Sequence, residues 1–228
     1  MTPANQNDHG QLPANNRHAL RLVARACRKG ALGTLMDGAP YVSLVTVAFD
    51  HDLAPILLLS GLSDHTRNLA ADPRVSLLLD GTDGLDNPQT GPRVTLIGEA
   101  RPTTDAALVA RFLARHPSAA QYASFADFSF WRIAPARAHF VGGFGRAVWF
   151  DYPFGIEPAE SAAFRQAEPD LLGRCGGAVP GATVVAIDAD GCDLTLGDGM
   201  KRVAFPTPLH DPEGAETALA AVLDRVTR

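Results

Sequence analysis

Five strand-sized apolar segments crowd the first hundred residues: Ala31–Met36, Pro40–Phe49, Ala54–Ser60, Arg74–Asp80 and Pro92–Arg101. They are rich in Val, Leu and Thr, and Asp37-Gly38 and His51-Asp52 make good turns between them. Parallel neighbours need a crossover of about a dozen residues or more, and most of these gaps are too short for one. A doubly wound sheet is therefore disfavoured and an antiparallel, barrel-like sheet is expected. No GxGxxG follows a strand and no GxxxxGK[ST] occurs. Gly142-Gly143-Phe144-Gly145 stands before a strand rather than a helix, so it makes a weak dinucleotide fingerprint.

The rest of the first part fits around those strands. Asn15 to Lys29 reads as a helix, with Leu20, Val23, Ala24 and Cys27 on one face and Gly30 as its stop. Cys27 on that face reads as a small buried apolar residue. Thr104–His116 reads as a second helix, with Thr104 as cap and Pro117 as stop. Asp127–Ile133 and Arg137–Gly142 return to strand pattern, giving roughly seven strands, and Thr82–Gly91 is a polar loop. Tyr41-Val42-Ser43-Leu44-Val45-Thr46-Val47-Ala48-Phe49 is apolar on both alternating faces. One face can fill a barrel, and the other needs cover from a helix or another subunit.

After Phe150 the character changes. Pro153, Gly155 and Pro158 suggest a linker, followed by a weak helix from about Glu160 to Gly173. Thr183–Ala189 and Gly191–Leu196 form a hairpin around Asp190-Gly191, Lys201–Phe205 a third strand, and Pro212–Val226 a closing amphipathic helix. The expected organisation is a disordered tail over 1–16, a main domain over 17–150, a linker over 151–158 and a small α/β domain over 159–228.

With 46% hydrophobic and 20% charged residues in a chain of 228, the composition is that of a globular protein. A net charge of −5 without a basic cluster disfavours nucleic acid as a partner. No apolar run is long enough for a membrane span, and the N-terminus lacks the pattern of a signal peptide. Cys27, Cys175 and Cys192 are scattered, odd in number and free of a CxxC pattern. That argues against a zinc or disulfide framework and suits a reducing cytoplasm.

The functional signal lies in Leu57-Leu58-Leu59-Ser60-Gly61-Leu62-Ser63-Asp64-His65-Thr66-Arg67-Asn68-Leu69. Read as strand, loop and helix start, it gathers Ser60, Thr66, Arg67 and Asn68 near one helix N-terminus, where free N–H groups and the helix dipole favour a phosphate. The alternative is that Ser63 or Asp64 merely caps the helix and Arg67 is solvated.

The succession GALGTL, PYVSLVTVAFD, PILLLSGLSDHTRNLAADPRVSLLL, GPRVTLIGEA and DFSFWRIAPARAHFVGGFGRA resembles the pyridoxamine 5'-phosphate oxidase-like, FMN-binding split-barrel family. Within it the chain is most similar to the haem-utilisation branch, and Thr183 to Val226 resembles the small α/β domain often fused to this barrel. The resemblance implies a mainly β (α+β) fold: a six-stranded split β-barrel with flanking helices that forms a homodimer, with FMN in clefts between subunits. By motif, Ser60, Thr66, Arg67 and Asn68 would hold the FMN phosphate, and Tyr41, Val42 and Ser43 would line the ribityl chain and ring edge. Trp131 and Arg132 would reach the flavin from the partner subunit, and Arg93 would neighbour the substrate. His65 could touch cofactor, ligate haem, or hydrogen-bond within its loop, and the last is favoured.

Two functions follow from the resemblance. One is an FMN-dependent oxidoreductase acting on an unknown small-molecule substrate. The other is a haem-binding or haem-degrading protein using the same cleft, which requires an axial ligand. Where haem-degrading relatives carry histidines, this chain reads Glu160-Ser161-Ala162-Ala163-Phe164-Arg165-Gln166-Ala167-Glu168. The remaining candidates are His139, His210, His116 and His65. Of these, His139 reads as a core or interface residue and His210 as a solvated loop residue. The phosphate cluster of authentic pyridoxamine phosphate oxidation has no convincing match. On this reading FMN is favoured over haem.

Overall fold

The computed structural model describes residues 12–177, 181–197 and 199–226. The expected disordered tail lies mostly outside the described residues, and its end is ordered: Asn15 accepts from the N–H groups of Arg17 (3.0 Å) and His18 (3.3 Å) and caps helix α1, Asn16–Ala26. The helix stops short of the expected Lys29 because Cys27 is already extended. Gly30 does not end it. It lies inside strand β1, Lys29–Met36, where a Cβ would come within 2.8 Å of Leu77 Cδ1 and 2.9 Å of the Leu78 carbonyl.

A two-residue turn joins β1 to β2, Ala39–Thr46, with Asp37 at φ 52° and Gly38 at φ 81°. Both angles are positive, the geometry that matches the twist of a hairpin. The expected single strand Pro40–Phe49 breaks at Val47, whose N–H turns to the Arg28 carbonyl, leaving β3 as Ala48–Phe49. Then follow β4 (Pro55–Ser60), helix α2 (Asp64–Ala71), β5 (Arg74–Asp80) and β6 (Arg93–Thr103). Helix α3 spans Ala106–Arg115, and its cap is Asp105 rather than Thr104: Asp105 Oδ1 accepts from the Ala107 N–H at 3.0 Å.

The two strands expected on either side of Ala134-Pro135-Ala136 are one, β7, Phe128–Val141. Its register against β6 shifts between Ile97 and Gly98, opposite this segment. A proline is tolerated in a strand at such a bulge. Strand β8, Ala147–Asp151, pairs with β7.

These strands form one antiparallel sheet in the order β2-β1-β5-β6-β7-β4-β3, with β8 on β7. Six long strands curl into a half-barrel, extended by short β3 and β8. Leu32, Leu57, Leu77, Leu96, Ile133 and Phe140 fill it from the strands, and Leu20 and Val23 close it from α1. A second cluster, around Ile56, Leu108, Phe112 and Phe130, packs α3 on the outside of β4 and β7.

Beyond β8, helix α4 (Pro158–Cys175) runs longer than expected at both ends: Glu157 and Glu160 form a capping box at its start, and the Gly176 N–H donates to the Leu172 carbonyl at its end. It packs on a second sheet of β9 (Ala182–Asp188), β10 (Gly191–Leu196) and β11 (Gly199–Ala204) in the order β11-β10-β9, and α5 (Ala215–Val226) closes that core. The fold is therefore α+β: a mostly antiparallel half-barrel with flanking helices and a second, small sheet with helices. No described helix is long and apolar enough to cross a membrane.

Candidate functional site

The β4–α2 loop begins where a fully buried strand meets the surface. Pro55 to Leu59 are buried, and Ser60 is the first residue to emerge. Its Oγ–H donates to Asp127 Oδ2 (2.7 Å) and its Oγ accepts from the Leu62 N–H (3.2 Å). The Gly61 N–H donates to the Asp127 carbonyl at 2.6 Å, so the loop is pinned to the segment before β7.

Ser63 holds the N-cap position of α2 with extended backbone, φ −82° and ψ 149°, but its side chain does not cap. Its Oγ–H goes to the Ser60 carbonyl at 2.6 Å, with Thr66 Oγ1 3.0 Å away. The first-turn N–H groups of α2 thus receive no side-chain cap, and the one carboxylate at the positive end of the helix dipole is that of the exposed Asp64.

Around that end the expected ligands take different directions. Arg67 is exposed and folds back, donating to the Leu62 carbonyl (2.9 Å) and to Asp64 Oδ1 (2.5 Å). Thr66 is buried against Ser63. Asn68 is also buried and donates from Nδ2 to Thr34 Oγ1 on β1 at 3.0 Å, so it braces α2 against the sheet. His65 is half-buried, and its side chain makes no hydrogen bond to the described residues. Burial pulls its pKa below the usual imidazole value, only partly opposed by the Asp64 carboxylate. It is a neutral imidazole at pH 7, and the expected hydrogen bond within the loop is not formed.

Tyr41 and Ser43 pair in register with Thr34 and Leu32, which puts them on the sheet face that α2 covers. Ser43 Oγ is buried without a partner. Val42 points the other way and is 65% exposed.

The remaining candidates lie elsewhere. Trp131 is packed in the half-barrel core and its indole N–H donates to Ser129 Oγ at 2.9 Å; this orientation does not offer it to a neighbouring subunit. Arg132 is engaged by Asp52, with Asp50 Oδ2 3.5 Å away, and the Tyr152 hydroxyl donates to the same Asp52 at 3.2 Å. Arg93, at the start of β6, donates to the Gly91 carbonyl at 3.3 Å.

Of the other histidines, His210 is exposed with Nδ1 2.7 Å from Glu160 Oε1, and His116 is buried with Nε2 2.9 Å from the Val47 carbonyl. His139 stacks on Trp149 with centroids 4.6 Å apart. Among the described residues no group of three or more His, Cys, Asp or Glu could hold a metal ion by itself.

Cross-strand register exposes a second feature that the sequence only half announced. Leu44, Ala31, Leu78, Thr95, His139 and Trp149 fall in one row across the outer face of the sheet. Val42, Gly33, Ser76, Ile97 and Arg137 form the next. Leu44 is 74% exposed, and Leu78, Ile97 and Trp149 are exposed as well. A contiguous apolar sheet face of this kind marks a contact surface. β2 alone predicts a need for cover, whereas the extent of the patch depends on register.

The sequence profile described as Pyridoxamine 5'-phosphate oxidase matches residues 17–142, more than half of the chain. A chloroplastic haem oxygenase of unconventional type from Arabidopsis thaliana, HOZ, is 37% identical over 149 residues, covering 63% of this chain and 45% of that protein. The chain thus spans about half the length of that relative. Among solved structures, a haem-binding protein from Mycobacterium smegmatis is 27% identical with a TM-score of 0.58, over 94% of this chain and 98% of that one. A protein of unknown function from Agrobacterium tumefaciens has the same fold throughout, with a TM-score of 0.75, 24% identity and coverage of 97% and 100%.

Proposed function

The chain belongs to the pyridoxamine 5'-phosphate oxidase family, and we propose that within it this protein binds haem for storage, delivery or breakdown, in a cleft beside the N-terminus of α2 that a second copy of the chain completes. The observation that carries this reading is His65: a neutral imidazole whose side chain has no hydrogen-bond partner among the described residues, in the first turn of an uncapped helix. Iron takes a neutral imidazole nitrogen as a ligand. Haem also carries two carboxylates, which suit the free N–H groups of α2 and, once it exchanges Asp64 for them, the Arg67 guanidinium. When bound, haem supplies the redox and oxygen chemistry, and the chain supplies ligand, anion contacts and exclusion of water. The similarity to a haem oxygenase and to a haem-binding protein supports the same reading.

The second reading is an FMN-dependent oxidoreductase acting on a small molecule. The uncapped end of α2 and the partnerless Ser43 Oγ favour it, since both would receive a phosphate-bearing, hydroxylated chain. It fits the side chains less well. All four expected phosphate ligands already have partners: Ser60 has Asp127, Thr66 has Ser63, Asn68 has Thr34 and Arg67 has Asp64. Binding FMN would require Arg67 to exchange a carboxylate for the phosphate.

The exposed rows around Leu44 and Trp149 support a homodimer as the assembled form. We divide the chain near residues 151–158 into the half-barrel and a small C-terminal domain. We also assign the protein to the cytoplasm, which three buried free thiols favour.

Titration of the purified protein with hemin and, separately, with FMN tests the main reading. A sharp Soret band that saturates at one hemin per chain, with no quenching of added FMN, is the expected result. Saturable FMN binding with no Soret band would replace it by the second reading.

A further inference from the structure

Among the described residues, the exposed apolar side chains Val42, Leu44, Leu78, Ile97 and Trp149 belong to the outer face of the sheet. Leu62 and Phe125, 74% and 55% exposed, do not. They are far apart in sequence, and the fold brings their segments together. Ser60 pairs with Phe128 at the end of β4, the Gly61 N–H donates to the Asp127 carbonyl at 2.6 Å, and the Ser60 Oγ–H donates to Asp127 Oδ2 at 2.7 Å. Leu62 follows Gly61 and Phe125 stands just before Asp127, so both lie on one rim beside the start of α2.

Both residues are held in place while their side chains face water. Leu62 directly precedes the N-cap Ser63, a position from which an apolar side chain often packs on the fourth residue of the helix. In α2 that residue is Arg67, whose guanidinium turns to the Leu62 carbonyl at 2.9 Å and to Asp64, so the staple is missing. The Leu62 N–H is nevertheless fixed, donating to Ser60 Oγ at 3.2 Å. Phe125 sits in a turn: its N–H donates to the Tyr122 carbonyl and its carbonyl accepts from the Phe128 N–H, both at 3.0 Å. Its ring meets Phe128 edge to face with centroids 6.3 Å apart, and Phe128 leans on Tyr122 at 5.0 Å. Groups fixed in this way lose little freedom when a ligand covers them.

We propose that Leu62 and Phe125 form an apolar wall for the tetrapyrrole ring of haem. The inference rests on the haem reading above and extends it to the part of the ligand that iron and carboxylates do not account for. Free helix N–H groups and an apolar rim adjoin at the start of α2, which matches a ligand charged along one edge and apolar over the rest. FMN would bring a phosphate and a hydroxylated chain to this helix end, and neither gains from a leucine and a phenylalanine. The two residues therefore also set the preference between the two cofactors.

Metal-free protoporphyrin IX separates the ring from the iron. Titrated into the full chain and followed by its fluorescence, it should bind wild type, and bind Leu62→Ser and Phe125→Ser each about ten-fold more weakly, the loss expected when one large apolar contact goes. Leu62→Met and Phe125→Leu should keep the wild-type affinity. Both positions are exposed, so the serine variants should keep the wild-type Tm and light-scattering mass. Equal protoporphyrin affinity in wild type and both serine variants overturns the proposal, as does a wild type that binds hemin and not protoporphyrin; in either case the haem reading stands or falls on hemin alone. A fall in light-scattering mass in either serine variant assigns these residues to a subunit contact and also overturns it. A wild type that binds neither porphyrin removes the reading and the inference together.

Discussion

Arg25 Nε donates to Asp190 Oδ2 at 3.0 Å across 165 residues of sequence, tying the first helix of the half-barrel to the turn of the small sheet. Asp190 is fully buried and also accepts from Arg21 Nη2 at 2.8 Å. Removing one member of a buried ion pair leaves the others charged in a low-dielectric setting, which costs about 3–5 kcal/mol. Asp190→Ala should therefore lower unfolding free energy by that order in urea titrations. The wild-type chain should unfold in one transition, because the two sheets share this junction.

Glu168 gives the junction a pH dependence. Burial alone would raise its pKa, but the Arg111 charge and the hydrogen bond with His51 hold it at about 2 against an ordinary value of 4.5. A depressed carboxylate pKa contributes stability that is complete above pH 4.5 and is lost as pH falls from 4.5 toward 2. The contribution is on the order of 3 kcal/mol. His51 acts in the same direction. Burial, then Arg111, lower its pKa, so the unfolded chain takes up a proton near pH 6.5 before the folded one does. Stability should begin to fall below pH 6.5 and fall again below 4.5. Glu168→Gln should remove the lower step in a series of melts against pH.

Much of the fold was legible from local pattern, and the junction was not. β5 appears in the structure with the expected ends, Arg74 and Asp80, because its alternation is clean and one face is wholly buried. Asp37-Gly38 declares a hairpin through residues that tolerate positive φ. In contrast, Pro135 reads as a strand break and proves to sit at a bulge inside β7. Arg21, Arg25, Arg111 and Arg115 carry no sequence signal beyond their spacing along two helices, and Asp190-Gly191 reads as a hairpin turn. Only their tertiary meeting makes them a network. The β4–α2 loop was legible as a loop and helix start, but the partners of its side chains were not. Asn68 finds Thr34 across 34 residues, and Arg67 prefers the adjacent Asp64.

The three cysteines should be inert in the native state. Burial pushes the Cys27 and Cys192 thiols up to about 12 and raises Cys175 as well. A thiolate is the reactive form. Titration with a thiol reagent at pH 8 should show little labelling of Cys27 and Cys192 before denaturation and three equivalents after it.

The outer sheet face predicts the assembly. Leu44→Asp places a charge in the middle of the exposed apolar row, where a self-associating surface would have to bury it. Light scattering on the wild type should report two chains, and the variant should report one with an unchanged circular dichroism spectrum.

The central claim concerns His65, and hemin titration of His65→Ala beside wild type and His210→Ala tests it most directly. The account predicts that His65→Ala weakens hemin binding at least ten-fold and shifts or broadens the Soret band, while His210→Ala, altering an exposed residue paired with Glu160, leaves both as in wild type. An unchanged Soret band and affinity in His65→Ala would contradict it.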